Sequence, residues 1–282
     1  MPYLDVDGDS LYFETCGDGP ACVVLHGAGQ TLDYLRPGLD ALGSVLKLVF
    51  VDIRGFHRST DRADAPPTLE RLYDDIDRIA EHVGADQFVL MGHSFGAFIA
   101  LGYAVMRPQR LRGLVTIGGA AAWVADGGRI LEHARARGAP DAALAALVSP
   151  PSVNQLEFAA QLRALSPLVF ANLEPKSRDA FFDSLPVRPE PALRHMACMA
   201  ASDFRGSLAD VGVPTLAVAG DCDLMCPAFL TVEMAASIPR ARAMVFANCG
   251  HFPWIEAHDE FVSCVTKWVR EVQLRPVTES AP

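Results

Sequence analysis

Short apolar runs alternate with amphipathic patterns of helical period along the first part of the chain. A hairpin is predicted around Asp7-Gly8-Asp9, between residues 3–6 and 10–16. The apolar runs that follow are typical of buried strands, and each is bounded by glycine, proline or polar residues. The predicted strands are 21–25, 46–51, 88–91 and 111–117. Helical spacing between them predicts helices at 34–42, at 68–84 and directly after residue 96.

The pattern changes in the middle of the chain and then returns. Residues 120–207 contain helical patterns only, whereas strands are predicted again at 213–219 and 243–247, each followed by a helix. Regular alternation favours a mostly parallel, twisted sheet covered by helices on both faces. We therefore predict an α/β fold whose core domain comprises residues 1–119 and 208–282. Residues 120–207 are predicted to form an inserted, all-helical cap.

Composition and charge narrow the class of protein. The chain has 282 residues, half of them hydrophobic, which suffices for one large domain with an insertion. Its net charge of −10 disfavours nucleic acid and anionic membranes as partners. Seven cysteines without a C-x-x-C pair indicate a reduced, intracellular protein. With no export signal or membrane-spanning run in the sequence, we expect a soluble cytoplasmic protein that binds a small molecule.

The strongest chemical signal is Gly92-His93-Ser94-Phe95-Gly96, which lies between a predicted strand and a predicted helix. G-x-S-x-G in this context is the nucleophile elbow, in which a sharp turn presents the serine hydroxyl. Acyl transfer also requires two backbone N–H donors for the developing oxyanion. We expect one from Phe95 and the other from the glycine-rich loop 26–29, with Ala28 as the preferred residue.

A serine nucleophile needs a base, and His251 is the preferred candidate. It lies in the loop after the predicted strand 243–247, so it is expected at the same sheet edge as Ser94. His26 and His57 also lie on loops at that edge and remain weaker alternatives.

An acid is needed to fix the tautomer of the base. The loop after strand 213–219 offers Asp221 and Asp223. We favour Asp223 because it lies deeper in the loop, where its carboxylate can reach back to His251. Asp221 is closer to the strand and remains the alternative.

These motifs resemble the α/β-hydrolase fold superfamily, and within it the proline iminopeptidase-like branch of serine peptidases and esterases. The matching segments are LHGAGQ (25–30), DIRGFHRS (52–59), GHSFG (92–96), GDCDLMCP (220–227) and GHFPWIE (250–256). The resemblance implies Ser94 as nucleophile, Asp223 as acid, His251 as base, and Ala28 with Phe95 as oxyanion donors. It also implies that no cofactor and no metal take part.

Three positions depart from the iminopeptidase pattern. Phe95 replaces the usual Trp, Gly29-Gln30 replaces a Gly-Pro, and His57 replaces a Gly. These departures weaken the expectation of aminopeptidase activity more than that of serine hydrolysis. Members of the branch bind a substrate amine through cap carboxylates, and the candidates here are Glu157, Glu174, Asp179, Asp183, Glu190 and Asp203.

We therefore predict a serine hydrolase that cleaves a small ester or amide through an acyl-enzyme. Phe158, Phe182 and Met196 of the cap are candidates for the wall of an apolar substrate pocket. Two alternatives remain open. The same triad also suits a C–C bond hydrolase, a lyase or a perhydrolase, and a non-catalytic ligand-binding protein can retain the triad.

Overall fold

The structure, a computed structural model, describes residues 2–62, 68–186 and 188–273. Its strands are β1 (Tyr3–Val6), β2 (Asp9–Cys16), β3 (Ala21–Leu25), β4 (Lys47–Val51), β5 (Phe88–His93), β6 (Leu111–Ile117), β7 (Thr215–Gly220) and β8 (Ala241–Phe246). They form one eight-stranded sheet in the order β1-β2-β4-β3-β5-β6-β7-β8. β2 pairs antiparallel with both β1 and β4, and every other neighbouring pair is parallel. The predicted α/β-hydrolase fold, with its mostly parallel sheet, is confirmed.

Helices cover both faces of this sheet. They are α1 (Arg36–Leu39), α2 (Leu69–His82), α3 (Phe95–Met106), α4 (Gly127–Ala136), α5 (Asp141–Val148), α6 (Gln155–Ala164), α7 (Ser166–Val169), α8 (Pro175–Ser184), α9 (Pro189–Ala200), α10 (Ala228–Ser237), α11 (Pro253–Glu256) and α12 (His258–Gln273). Side chains alternate between the faces of a strand. Accordingly, Val23 of β3 packs in one core cluster with α2 and α3, whereas Val24 packs in another with α12.

Three predicted elements have different limits in the structure. The single helix expected at 34–42 is wrong: α1 is flanked by short 3-10 helices at Leu32–Tyr34 and Asp40–Ser44. Glycine weakens a continuous helix, and here Gly38 also lies against Trp254, which would be 2.5 Å from a Cβ at that position. β7 begins at residue 215 rather than 213, because Pro214 has no N–H for the strand ladder. β8 spans residues 241–246 rather than 243–247.

The segment between β6 and β7 contains α4 to α9, and its described residues include no strand. The limits of a cap domain at 120 and 207 remain a prediction. Two backbone hydrogen bonds join α7 to core loops: Leu224 N–H donates to the Leu168 oxygen at 2.8 Å, and His251 N–H donates to the Val169 oxygen at 2.7 Å. Within the described ranges, no helix has the length and apolar character needed to cross a membrane.

A buried ion-pair network lies on the side of the sheet that carries α2. The Arg54 guanidinium, only 1% exposed, donates to Asp75 Oδ2 at 2.7 Å and to Asp9 Oδ2 at 2.5 Å. Asp9 also accepts from Arg71 at 2.8 Å. The network joins the hairpin, the loop after β4 and α2, so its role is to brace the fold.

Candidate active site

Ser94 occupies the apex of a sharp turn between β5 and α3. Its φ of +54° and ψ of −115° are strained for a residue with a side chain. The turn is possible only because its flanks are glycine: a Cβ at Gly92 would lie 2.1 Å from the Gly96 oxygen. Ser94 N–H donates to the Ile117 oxygen of β6 at 2.8 Å, which fixes the apex against the neighbouring strand. The structure therefore has the strand–turn–helix geometry that the motif predicts.

His251 and Asp223 are in direct contact. The distance from His251 Nδ1 to Asp223 Oδ2 is 2.6 Å, and both residues are buried. The other carboxylate oxygen accepts the N–H groups of Met225 at 2.9 Å and Cys226 at 2.8 Å. Because an ionised carboxylate only accepts, His251 Nδ1 carries the proton and Nε2 keeps its lone pair. The imidazole thus has the tautomer required of a base.

The weaker candidates are placed elsewhere. Asp221 is exposed, and its carboxylate accepts the Cys249 N–H at 3.3 Å. His26 is buried, and its Nε2 accepts the N–H of Ile53 at 2.9 Å, so its ring braces the loop after β4. His57 is partly exposed, and its Nε2 lies 3.9 Å from an Asp33 oxygen. None of these side chains approaches Ser94 and His251 in the way that Asp223 approaches His251.

Ser94 and His251 line one cavity of about 200 Å³, together with Ala28 and Phe95. Phe95 is the first residue of α3, where an N–H has no acceptor within the helix. The Ser94 hydroxyl forms no hydrogen bond with any residue of the described ranges. A bond between nucleophile and base is often long in the free enzyme and shortens when substrate binds.

The cavity walls are apolar and come mostly from the segment between β6 and β7. Phe158, Phe182 and Met196 all line the cavity. Further apolar lining residues are Phe98, Trp123, Leu147, Leu162, Leu165, Val169, Met199, Met225 and Phe252. Among the described residues that line it, none is an aspartate, glutamate, lysine or arginine.

The predicted amine-binding carboxylates do not reach this cavity. All six are exposed and absent from its lining: Glu157, Glu174, Asp179, Asp183, Glu190 and Asp203. Several pair with neighbours instead; Arg205, for example, donates to Asp203 at 2.5 Å. Over the described ranges, no group of three His, Cys, Asp or Glu side chains is arranged to hold a metal ion.

Sequence reasoning missed three features around these residues. Tyr34 and His93 are buried beside the site and joined by a hydrogen bond. Gly118, after β6, lies directly behind the imidazole of His251. Glu256 accepts Gly250 N–H at 2.8 Å and thereby holds the loop that carries His251. His93 and Glu256 lie within the quoted segments GHSFG and GHFPWIE, but those segments do not indicate these contacts. Tyr34 and Gly118 offered only an aromatic residue near the loop 26–29 and a glycine at a strand end, neither of them specific.

Comparison with known proteins agrees with the fold. The sequence profile of the family described as alpha/beta hydrolase fold matches residues 20–257. A pimeloyl-[acyl-carrier protein] methyl ester esterase of Nitrosomonas europaea is 26% identical, covering 90% of this chain and 98% of that protein. A protein of Streptomyces coelicolor named "Probable proline iminopeptidase" is 30% identical, covering 71% of this chain and 59% of that one. The crystal structure of a hydrolase from Pseudomonas aeruginosa matches with a TM-score of 0.76 at 24% identity, covering 95% and 97% of the two chains.

Proposed function

We propose that this chain, which belongs to the α/β-hydrolase fold family, is a serine esterase acting on small, uncharged esters with an apolar acyl group. The observation that carries the proposal is the cavity in which Ser94 and His251 meet apolar walls. An apolar pocket with a few polar groups at one end suits a ligand with one reactive polar group and a hydrocarbon remainder.

The proposed reaction passes through an acyl-enzyme. His251 Nε2 takes the proton of the Ser94 hydroxyl as its oxygen attacks the ester carbonyl. Asp223 stabilises the imidazolium that forms, and the N–H groups of Phe95 and Ala28 donate to the oxyanion. The imidazolium then protonates the departing alcohol. Water attacks the acyl-enzyme with His251 again acting as base, which releases the carboxylic acid and regenerates Ser94.

The size of the cavity limits the acyl group. A cavity of about 150 Å³ holds a benzene molecule, so one of about 200 Å³ admits an acyl chain of roughly six to eight carbons. A charged acyl group would lose its hydration without gaining a partner of opposite charge. We therefore expect neutral acyl groups of this length to be preferred over acetate and over amino-acid esters.

An aminopeptidase is less well supported. A free ammonium in this cavity would need a carboxylate, and none of the six cap candidates lines the cavity. A buried cation without a partner costs several kcal/mol. The similarity to a named iminopeptidase is therefore better explained by shared ancestry of the core than by a shared substrate.

The test combines covalent labelling with a substrate panel. A fluorophosphonate should label the native protein but not Ser94→Ala, which should lower kcat by a factor of about 10⁴ or more. Release of p-nitrophenol from esters of two to twelve carbons should show a burst and a maximum near six to eight carbons, by the volume argument above. L-Amino-acid p-nitroanilides should react far more slowly than these esters.

Three results would contradict the proposal. Equal labelling of the native protein and Ser94→Ala would exclude an activated Ser94. Faster cleavage of amino-acid anilides than of neutral esters would replace esterase activity with peptidase activity. An ester panel without any turnover, combined with Ser94-dependent cleavage of a C–C bond, would favour the alternative hydrolase chemistry on the same triad.

A further inference from the structure

Three loops that meet at the candidate site are joined by one buried chain of hydrogen bonds. Gly27 N–H, in the loop after β3, donates to the Tyr34 hydroxyl at 2.9 Å. That hydroxyl lies 2.6 Å from Nδ1 of His93, which directly precedes Ser94. The other ring nitrogen of His93 lies 3.1 Å from the backbone oxygen of His251. This series of hydrogen bonds therefore joins residues far apart in sequence through the buried side chains of Tyr34 and His93.

The protons in this chain have only one consistent arrangement. The Gly27 N–H can only donate, so the Tyr34 oxygen accepts there. The His251 carbonyl oxygen can only accept, so a neutral His93 ring must direct its Nε2–H to that oxygen and leave Nδ1 to accept the proton of the Tyr34 hydroxyl. Nδ1 is then unprotonated, and the ring carries its proton on Nε2. Burial lowers the pKa of His93 well below its usual range, which agrees with a neutral ring.

Aromatic side chains surround this chain and keep water away. The ring centroid of His93 lies 4.7 Å from that of Trp254, in an edge-to-face arrangement, and 5.2 Å from that of Phe252. Buried polar chains of this kind hold their members rigidly because no water can replace a lost partner.

We propose that Tyr34 and His93 are positioning residues, which hold the oxyanion loop and the base loop in place against the nucleophile elbow. Three members of this hydrogen-bonded series lie at or next to a group of the proposed reaction. Gly27 precedes Ala28, and His93 precedes Ser94. The last acceptor is the backbone oxygen of His251 itself. The inference rests on the proposed function and deepens it; neither side chain is among the residues that line the cavity.

The expected consequence is a selective effect on turnover. A displacement of about 1 Å in a reacting group can cost about 10²-fold in rate. Removing the Tyr34 hydroxyl leaves Gly27 N–H and His93 Nδ1 without their partner and lets the oxyanion loop shift. Because the cavity walls are untouched, substrate binding should change little.

The kinetic test compares Tyr34→Phe with a matched control. Tyr103 is another buried tyrosine, whose hydroxyl donates to Asp77 at 2.6 Å, away from the site. Tyr34→Phe should lower kcat for a p-nitrophenyl ester by about 10- to 100-fold, with KM within about twofold of native. Tyr103→Phe also loses a side-chain hydrogen bond, but its kcat should be native. Equal kcat in the two variants, or a change confined to KM, would overturn the inference.

A spectroscopic test does not depend on activity. In protein with ¹⁵N-labelled histidine, the ring signals of His93, assigned by their loss in His93→Gln, should show an unprotonated Nδ1 and a protonated Nε2. The Nδ1 signal should shift in Tyr34→Phe and stay in place in Tyr103→Phe. A protonated Nδ1, or an Nδ1 signal insensitive to Tyr34→Phe, would overturn the inference whatever the activity. A protein with these signals that hydrolyses no ester would refute the proposed function alone.

Discussion

The substitution Asp223→Asn tests the proposed mechanism most sharply, because the surroundings dictate how the new side chain must lie. One carboxylate oxygen of Asp223 accepts two backbone N–H groups, from Met225 and Cys226, and the other accepts from His251 Nδ1. An asparagine has one accepting oxygen and one donating NH₂ group. The two backbone donors require the oxygen, so the NH₂ group must face His251.

An NH₂ group in that position forces the wrong tautomer on the base. His251 Nδ1 must then accept, which moves the ring proton to Nε2, where it can no longer take the proton of Ser94. Loss of the correct tautomer in a serine triad costs about 10⁴ in kcat, which corresponds to roughly 5 kcal/mol of transition-state stabilisation. Stability should change by no more than about 2 kcal/mol, because shape and two hydrogen bonds are kept.

The assay is single-turnover and steady-state hydrolysis of a p-nitrophenyl ester, with urea unfolding measured on the same samples. Asp221→Asn is the control, since Asp221 is exposed and two residues away. We expect kcat of Asp221→Asn within about twofold of native, as is usual for a surface change. Retention of more than a tenth of native kcat by Asp223→Asn, or an equal loss in both variants, would refute the tautomer argument.

Three further predictions concern the support of the site and of the core. Gly118→Ala would place a methyl group 2.8 Å from the His251 ring, so kcat should fall at least about tenfold. Gly84→Ala is the control, because Gly84 also has a positive φ but open space around it, and its kcat should be native. Unchanged activity in Gly118→Ala would count against the packing argument. Arg54→Met should lower the unfolding free energy in urea by about 3–5 kcal/mol, because it leaves the buried Asp75 carboxylate without its partner while Asp9 keeps Arg71. A loss under about 1 kcal/mol would contradict this reasoning. Burial alone raises the pKa of Asp9, but hydrogen bonds and two arginines outweigh it, so that pKa is lowered. The unfolding free energy of the native protein should therefore fall as pH drops below about 4. The fall should be smaller in Asp9→Asn.

The sequence by itself determined the parts of this protein that depend on neighbouring residues. The apolar runs and their spacing predict the strands and α2, because hydrophobic period and helix caps act within a few residues. Gly92 and Gly96 around Ser94 predict the sharp turn for the same reason. The order of strands then brings the loop of His251 to the same edge of the sheet, since parallel strands all end there.

Tertiary structure decided what depends on residues distant along the chain. The path of the loop after β7 decides which aspartate contacts His251: Asp223 does, whereas Asp221 is exposed. The apolar cavity and the exposed cap carboxylates follow from how short helices pack on the core, and helical spacing alone does not fix that packing. The bond from Tyr34 to His93 joins residues 59 positions apart. Such contacts form only when the sheet brings their loops together, so no local sequence pattern predicts them.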